Sequence, residues 1–136
     1  MTESDAIQSP DFAAFLAGYT EALLWSSSDT TADGEEVNLD QFELSTAGAD
    51  KCRADCLAFF VANHADLVEA AGCYRGREQH DGMALAGHDY ALTRNRHGAG
   101  YWDGDLPDDL GGRLTEASDK AGEVRPCLGD DGEVYL

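Results

Sequence analysis

Lysine is almost missing from this chain. Two lysines, Lys51 and Lys120, stand against 17 aspartates, and all basic residues number 9 against 27 acids, for a formal net charge of −18. The first 50 residues hold no lysine or arginine at all. A surface of that sign repels phosphate backbones, so direct binding of DNA or RNA is not expected. Long hydrophobic runs are also missing. No stretch approaches the roughly 18–20 apolar residues of a membrane helix, and no membrane partner is expected. The opening residues, Met1-Thr2-Glu3-Ser4-Asp5, lack the basic-then-apolar order of a signal peptide, which predicts a cytoplasmic protein. Paired CxxC spacing is absent as well. The four cysteines, Cys52, Cys56, Cys73 and Cys127, read as reduced thiols, most of them small buried apolar residues.

A chain of 136 residues with 43% apolar content is long enough for one core without staples, and a single domain over 1–136 is expected. The acidity is uneven. Residues 1–50 hold 11 acids, residues 51–102 six acids and six bases, and residues 103–136 ten acids and three bases. Two readings compete. The excess carboxylates can be solvation, as in adaptation to high salt or in the product of a GC-rich genome. Alternatively they imitate nucleic acid and occupy a DNA-binding protein's basic cleft.

Along the chain, residues 1–10 form a polar tail that ends in Ser9-Pro10-Asp11, a cap followed by a first-turn proline. Phe12, Phe15, Leu16, Tyr19 and Leu23, with Trp25 as a further candidate, lie on or near one helical stripe from Asp11 to about Ser26. Residues 29–40 read as a solvated acidic loop. A long helix is predicted from about Ala47 to Ala71, where Cys52, Cys56, Phe59, Phe60, Asn63 and Leu67 recur at steps of three and four. Residues 73–85 read as a loop. Gly87–Arg94 and Gly100–Asp103 are predicted as two strands of a hairpin turned by Asn95-Arg96-His97-Gly98. A helix follows over Asp108–Ala121, with acids in its first turn and Gly122 at its close. A terminal hairpin turns at Gly129-Asp130-Asp131-Gly132. The expected class is α+β, with helices packed on one face of a small antiparallel sheet in the order α-α-β-β-α-β-β.

Several chemistries can be tested against these positions. Cys52 and Cys56, four apart on a helix and followed by His64 and Cys73, offer a zinc-like set. Structural zinc sites usually draw close cysteine pairs from turns, and the apolar stripe claims the same residues, so no metal site is expected. His80-Asp81 and His88-Asp89 resemble the His-Asp pair of metal-dependent phosphohydrolases. Those enzymes are wholly helical, however, and His88-Asp89 is predicted to begin a strand. No cysteine lies where a reactive thiol would be exposed, and no carboxylate pair can be assigned acid and base roles from spacing. No catalytic residue and no cofactor are therefore expected. His97-Gly98-Ala99-Gly100 beside Arg94 and Arg96 is a possible anion cradle, although its spacing matches neither the dinucleotide fingerprint nor the P-loop. A tight hairpin needing two glycines is the preferred explanation of it.

The pattern Gly87-His88-Asp89-Tyr90-x-Leu92-Thr93-Arg94-Asn95-x-His97-Gly98-x-Gly100-Tyr101-Trp102-Asp103 resembles a family of small proteins encoded by bacteriophages and other mobile elements. The likeness extends to Tyr19–Ser27, to Arg53-Ala54-Asp55-Cys56, to Leu114-Thr115-Glu116-Ala117 and to Gly129–Tyr135. It covers most of the chain apart from the acidic loop and residues 73–85. Two departures are visible. Tyr90-Ala91 stands where such proteins often carry two aromatics, and Gly104 follows Asp103 where a basic residue is common. The resemblance implies an accessory protein made in an infected bacterial or archaeal cell, and it carries over no catalytic residue.

The expected function is therefore non-enzymatic: an acidic protein that binds and modulates a host macromolecule, with mimicry of DNA as the most concrete version. The contact residues proposed from the sequence are His88, Arg94, Arg96, His97, Tyr101 and Trp102. The alternative is a small enzyme or ligand-binding protein with an anion site at Arg94, Arg96 and His97. A third possibility is a subunit that associates through Tyr101-Trp102.

Overall fold

Seven aromatic side chains from four parts of the chain meet in one cluster, and the helices that carry most of them define the fold. In the computed structural model Phe12, Phe15, Tyr19, Phe59, Phe60, Tyr90 and Tyr101 are all 5% exposed or less. Phe59 stacks on Tyr90 with centroids 3.9 Å apart, and Phe15 lies 5.9 Å from the same ring. The model describes the backbone of residues 1–74 and 79–136, and the side chains of residues 1–74 and 81–136.

The described elements run in order α1 (Glu3–Ile7), α2 (Pro10–Trp25), β1 (Ser28–Thr30), β2 (Glu36–Asn38), a 3₁₀ turn (Leu39–Gln41), β3 (Glu43–Leu44), α3 (Thr46–Ala62), α4 (His64–Cys73), α5 (Gln79–Arg94), α6 (Asp108–Ala121), β4 (Cys127–Leu128) and β5 (Glu133–Tyr135). The class is α+β, helices with small sheets. β1 pairs antiparallel with β2, while β5 lies between β3, its parallel neighbour, and β4, its antiparallel one. None of the helices found is long and apolar enough to cross a membrane, among the described residues.

Several expectations hold. Ser9 caps α2 and Pro10 occupies its first turn, α6 spans Asp108–Ala121 with Gly122 closing it at φ +81°, and the terminal hairpin forms as β4 and β5. Others need correction. The tail contains α1, capped by Thr2, with Ala6 fully buried. The acidic loop folds back on itself as β1–β2, with Gly34 at φ +84° in its turn. Asp29 of β1 accepts a 2.7 Å bond from the Leu128 amide, which ties this hairpin to β4. The long helix is two helices, because Asn63, at φ −120°, ends α3 and starts α4.

The central hairpin does not form. Its first strand belongs to α5, a helix that begins at Gln79 and so takes up the second half of the expected 73–85 loop, of which residues 75–78 lie outside the described residues. Met83, Ala86, Gly87, Tyr90, Ala91 and Arg94 recur at helical steps and are all buried. Asp89, Leu92 and Thr93 are buried as well, so the helix is enclosed on nearly every side and has no polar stripe to reveal its period. Glycine makes that enclosure possible. A Cβ on Gly18 of α2 would run into the Ala84 carbonyl, and one on Gly87 would run into the carbonyl of Phe15. The second expected strand is loop. The residue with positive φ in the turn is Arg96, at 57°. The Arg96 amide bonds the Thr93 carbonyl and the His97 amide bonds the Leu92 carbonyl, the paired closure of a helix C-terminus.

Candidate functional site

The residues of the central pattern do two different jobs. One group holds the fold together. Arg94, 4% exposed, donates from Nη1 to the Tyr19 hydroxyl and to Asp55 Oδ2, both at 2.9 Å. It also donates from Nε to the Gly122 carbonyl at 2.7 Å and from Nη2 to the Ala121 carbonyl at 3.2 Å. One guanidinium thereby joins α2, α3, α5 and the end of α6, where the carbonyls left over by α6 favour a cation. Thr93 Oγ1 accepts from the Tyr101 amide at 3.1 Å, Asn95 Oδ1 accepts from the Val124 amide at 2.8 Å, and the Tyr101 hydroxyl donates to the Ala86 carbonyl at 2.6 Å.

The other group lines a cleft of about 480 Å³, within the size range of small-ligand sites. Trp25 and Ser26 close one side at the end of α2. His88, Asp89 and Leu92 come from α5, and His97, Gly98, Ala99 and Asp103 from the loop after it. His88 and Leu92 are one helical turn apart and so share a face. The loop is held by Tyr101 and by the Asp103 carboxylate, which accepts from the Gly100 amide at 3.2 Å. The Trp25 and His88 rings face each other at 5.9 Å and 36°. Trp25 is 57% exposed.

Asp89 is the unusual group here. It is 9% exposed, and its Oδ2 accepts a 2.7 Å bond from the Tyr74 hydroxyl. Burial pushes its carboxyl up to about 7. The Tyr74 bond pulls the other way, and the nearby charges of Asp103 and Asp105 add to the rise. The Tyr74 phenol is itself held far above its ordinary value, first by burial and then by Asp89. Asp89 therefore lies near half-ionisation at neutral pH in an open cleft with two imidazoles, a composition suited to holding or exchanging a proton.

Of the six contact residues expected from sequence, His88 and His97 come together in this cleft. Arg94 is buried in the fold, and Arg96 is exposed with Glu123 Oε1 3.9 Å from its Nε. Tyr101 is buried, while Trp102 is 57% exposed and lines a neighbouring hollow of about 330 Å³ with Gly111, Gly112 and Thr115. The basic spot expected at the tip is thus divided between the interior and an ion pair. Trp25, Asp89, Leu92 and Asp103 complete the cleft and were missed. Reading α5 as a helix would have placed His88, Asp89 and Leu92 together, and a tryptophan at a helix end before Ser26-Ser27-Ser28 marks an exposed aromatic.

The strand placement that argued against His88-Asp89 as a metal pair fails, because the pair lies on a helix. Among the described residues, though, no group of three or more His, Cys, Asp or Glu gathers where it could hold a metal ion. Burial raises the Cys52 thiol to about 11 and pushes Cys56 up as well, so neither is a ready nucleophile. Compared with family models, curated proteins and solved structures, the chain matches none.

Proposed function

We propose that this chain is an acidic accessory protein that binds a basic host protein, with the Trp25 cleft at the centre of the contact. In this reading it acts without catalysis in the cytoplasm of a bacterial or archaeal cell that carries a phage or related element, as the resemblance of the central pattern suggests. The observation that carries it is the state of the cations. Lys51, Arg94, Arg96, Arg113, Lys120 and Arg125 each sit within an ion pair, and Arg53 lies 5.9 Å over the Phe12 ring. Among the described residues the lysine and arginine side chains are thus met within the molecule, while many carboxylates are exposed. Beside them stands an exposed tryptophan in a cleft whose lining contains no lysine or arginine among the described residues. Aromatic anchors set in a charged rim are typical of protein contact sites.

The test is affinity capture from host lysate at low salt, followed by titration of the recovered partner. A basic partner is expected, with binding that weakens as salt rises. Trp25→Ala should weaken it, whereas Asp33→Asn, in the β1–β2 turn, should not. A partner indifferent to salt and to Trp25→Ala would sink the proposal. Mimicry of DNA is its narrower form and requires that the partner's own DNA compete.

One observation favours a second reading, a small enzyme or ligand-binding protein: Asp89, near neutrality, shares its cleft with His88 and His97. A ligand that raised the melting temperature of the wild type and not of Asp89→Ala would support it.

A further inference from the structure

We infer that the Trp25 cleft is a receptor for a guanidinium group, the side chain of an arginine presented by the basic partner. This rests on the reading of the chain as a binder of a basic protein and adds the chemistry by which the partner is recognised. Three features of the cleft converge on a planar organic cation. Its charged lining among the described residues is Asp89 and Asp103, with no lysine or arginine, although Arg94 and Arg96 are close in sequence. Its wall is the indole of Trp25, 57% exposed and tilted toward the His88 ring. An indole face is the best aromatic partner for a cation, and a guanidinium can stack on it while donating to carboxylates at its edge. Its apolar lining, Leu92 and Ala99, suits the aliphatic stem of an arginine.

The electrostatics of Asp89 agree. Its carboxyl resists ionisation because it is buried and because Asp103 and Asp105 stand near. Burial penalises a charge of either sign, but the part of the rise that comes from Asp103 and Asp105 is a negative field, and that field favours an entering cation. The contrast with Arg94 is direct. That guanidinium already sits between a carboxylate and aromatic rings, 2.9 Å from Asp55 Oδ2 and with its central carbon 5.2 Å over the Tyr90 ring. The cleft offers the same two kinds of group to a cation from outside.

The test is a titration of the full chain with Nα-acetyl-arginine amide at constant ionic strength. The probe is followed by the Trp25 indole N–H in a proton–nitrogen correlation spectrum, assigned with Trp102→Phe. The citrulline amide, neutral and of the same shape, is the control, and Nα-acetyl-lysine amide tests planarity. The expected result is a saturable shift of the Trp25 signal with arginine, a weaker one with lysine and none with citrulline. Asp103→Asn should weaken arginine about fivefold, as loss of one partly exposed charge contact would, and Asp33→Asn should leave it unchanged. Citrulline binding as well as arginine, lysine matching arginine, or indifference to Asp103→Asn would overturn the inference. A tetra-arginine peptide separates this failure from failure of the parent reading. Salt-sensitive peptide binding that leaves the Trp25 signal unmoved would refute the cleft and keep the basic partner. Saturation by the arginine amide, with no gain in affinity for any basic polypeptide, would keep the cleft and refute the partner.

Discussion

Asp89 and Arg94 are five residues apart on one helix, both are buried, and their surroundings are opposite. Arg94 has a carboxylate, a phenol and two carbonyls as acceptors, so its charge is fully met inside the fold. Among the described residues Asp89 has one hydrogen-bond partner, the neutral phenol of Tyr74, and the nearby charges of Asp103 and Asp105 are like-signed. A buried ion whose hydrogen bonds are all supplied by the protein is part of the architecture. A buried acid beside an open cleft, with no cation paired to it among the described residues, is available to something else. This difference, rather than residue type, is what separates the half of the central pattern that holds the framework from the half that lines the cleft.

The sharpest way to break the comparison is to remove the framework charge. Arg94→Ala leaves the Tyr19 hydroxyl without its donor and Asp55 with Lys51 alone, and it strands the carbonyls at the end of α6. A loss of about 3–5 kcal/mol is expected, read as a lower urea midpoint at unchanged slope. Next in size is Gly87→Ala. The added methyl meets the Phe15 backbone, which cannot move aside as a flexible side chain would. Forcing α2 and α5 apart should cost about 1–3 kcal/mol. If Arg94→Ala unfolds no more easily than the wild type, the division between framework and cleft is wrong.

How much of this was legible in the sequence follows from the same helices. α2 and α6 were readable because each has an apolar stripe and an exposed face, with Ser9 and Gly122 as end signals. α5 was not. Its buried positions surround the axis, and two of its closest packing positions, Gly82 and Gly87, carry no side chain to count. Tyr90 and Leu92, with Ala91 between them, then passed for strand alternation. Asn95 and Gly98 looked like turn residues, whereas the left-handed position is Arg96, held by the amide bonds that close the helix. The cleft inherited that error. His88 and His97 were singled out for their chemistry, but Asp89 and Trp25 join them only through the packing of α5 against α2. Charge was legible in amount and not in arrangement, since no spacing rule brings Asp55 to Arg94 across 39 residues.

A smaller effect sharpens the Asp89 side. Its folded-state carboxyl titrates near 7, above the roughly 3.9 of an unfolded aspartate. The protonated form is therefore the one that folding favours. Its contribution is fully present below about pH 4 and is lost as the pH rises through 7, with a slope of at most about 1.4 kcal/mol per pH unit. Asp89→Asn keeps the shape of the protonated acid and cannot ionise. Its stability relative to the wild type should rise between pH 4 and pH 7 and level off above that in parallel urea titrations. A difference that stays flat over that range would mean that Asp89 is ionised in the fold and that its burial is compensated after all.

The smallest expected change in stability belongs to the residues that the comparison assigns wholly to binding. Trp25 is more than half exposed at the last position of α2 and Asp103 is exposed in the loop. Truncating an indole that packs only partly removes little buried area, and Asp103→Asn keeps an oxygen that can accept from the Gly100 amide. Both variants should stay within about 0.5 kcal/mol of the wild type. If the cleft exists for a partner, the same two substitutions should be the ones that reduce capture of that partner, while Arg94→Lys, which disturbs the framework, should lower stability and leave binding by the folded fraction intact. An unfolding midpoint that fell sharply with Trp25→Ala would move this tryptophan to the framework side. The carboxylates of the cleft would then have lost the aromatic wall that makes them a site.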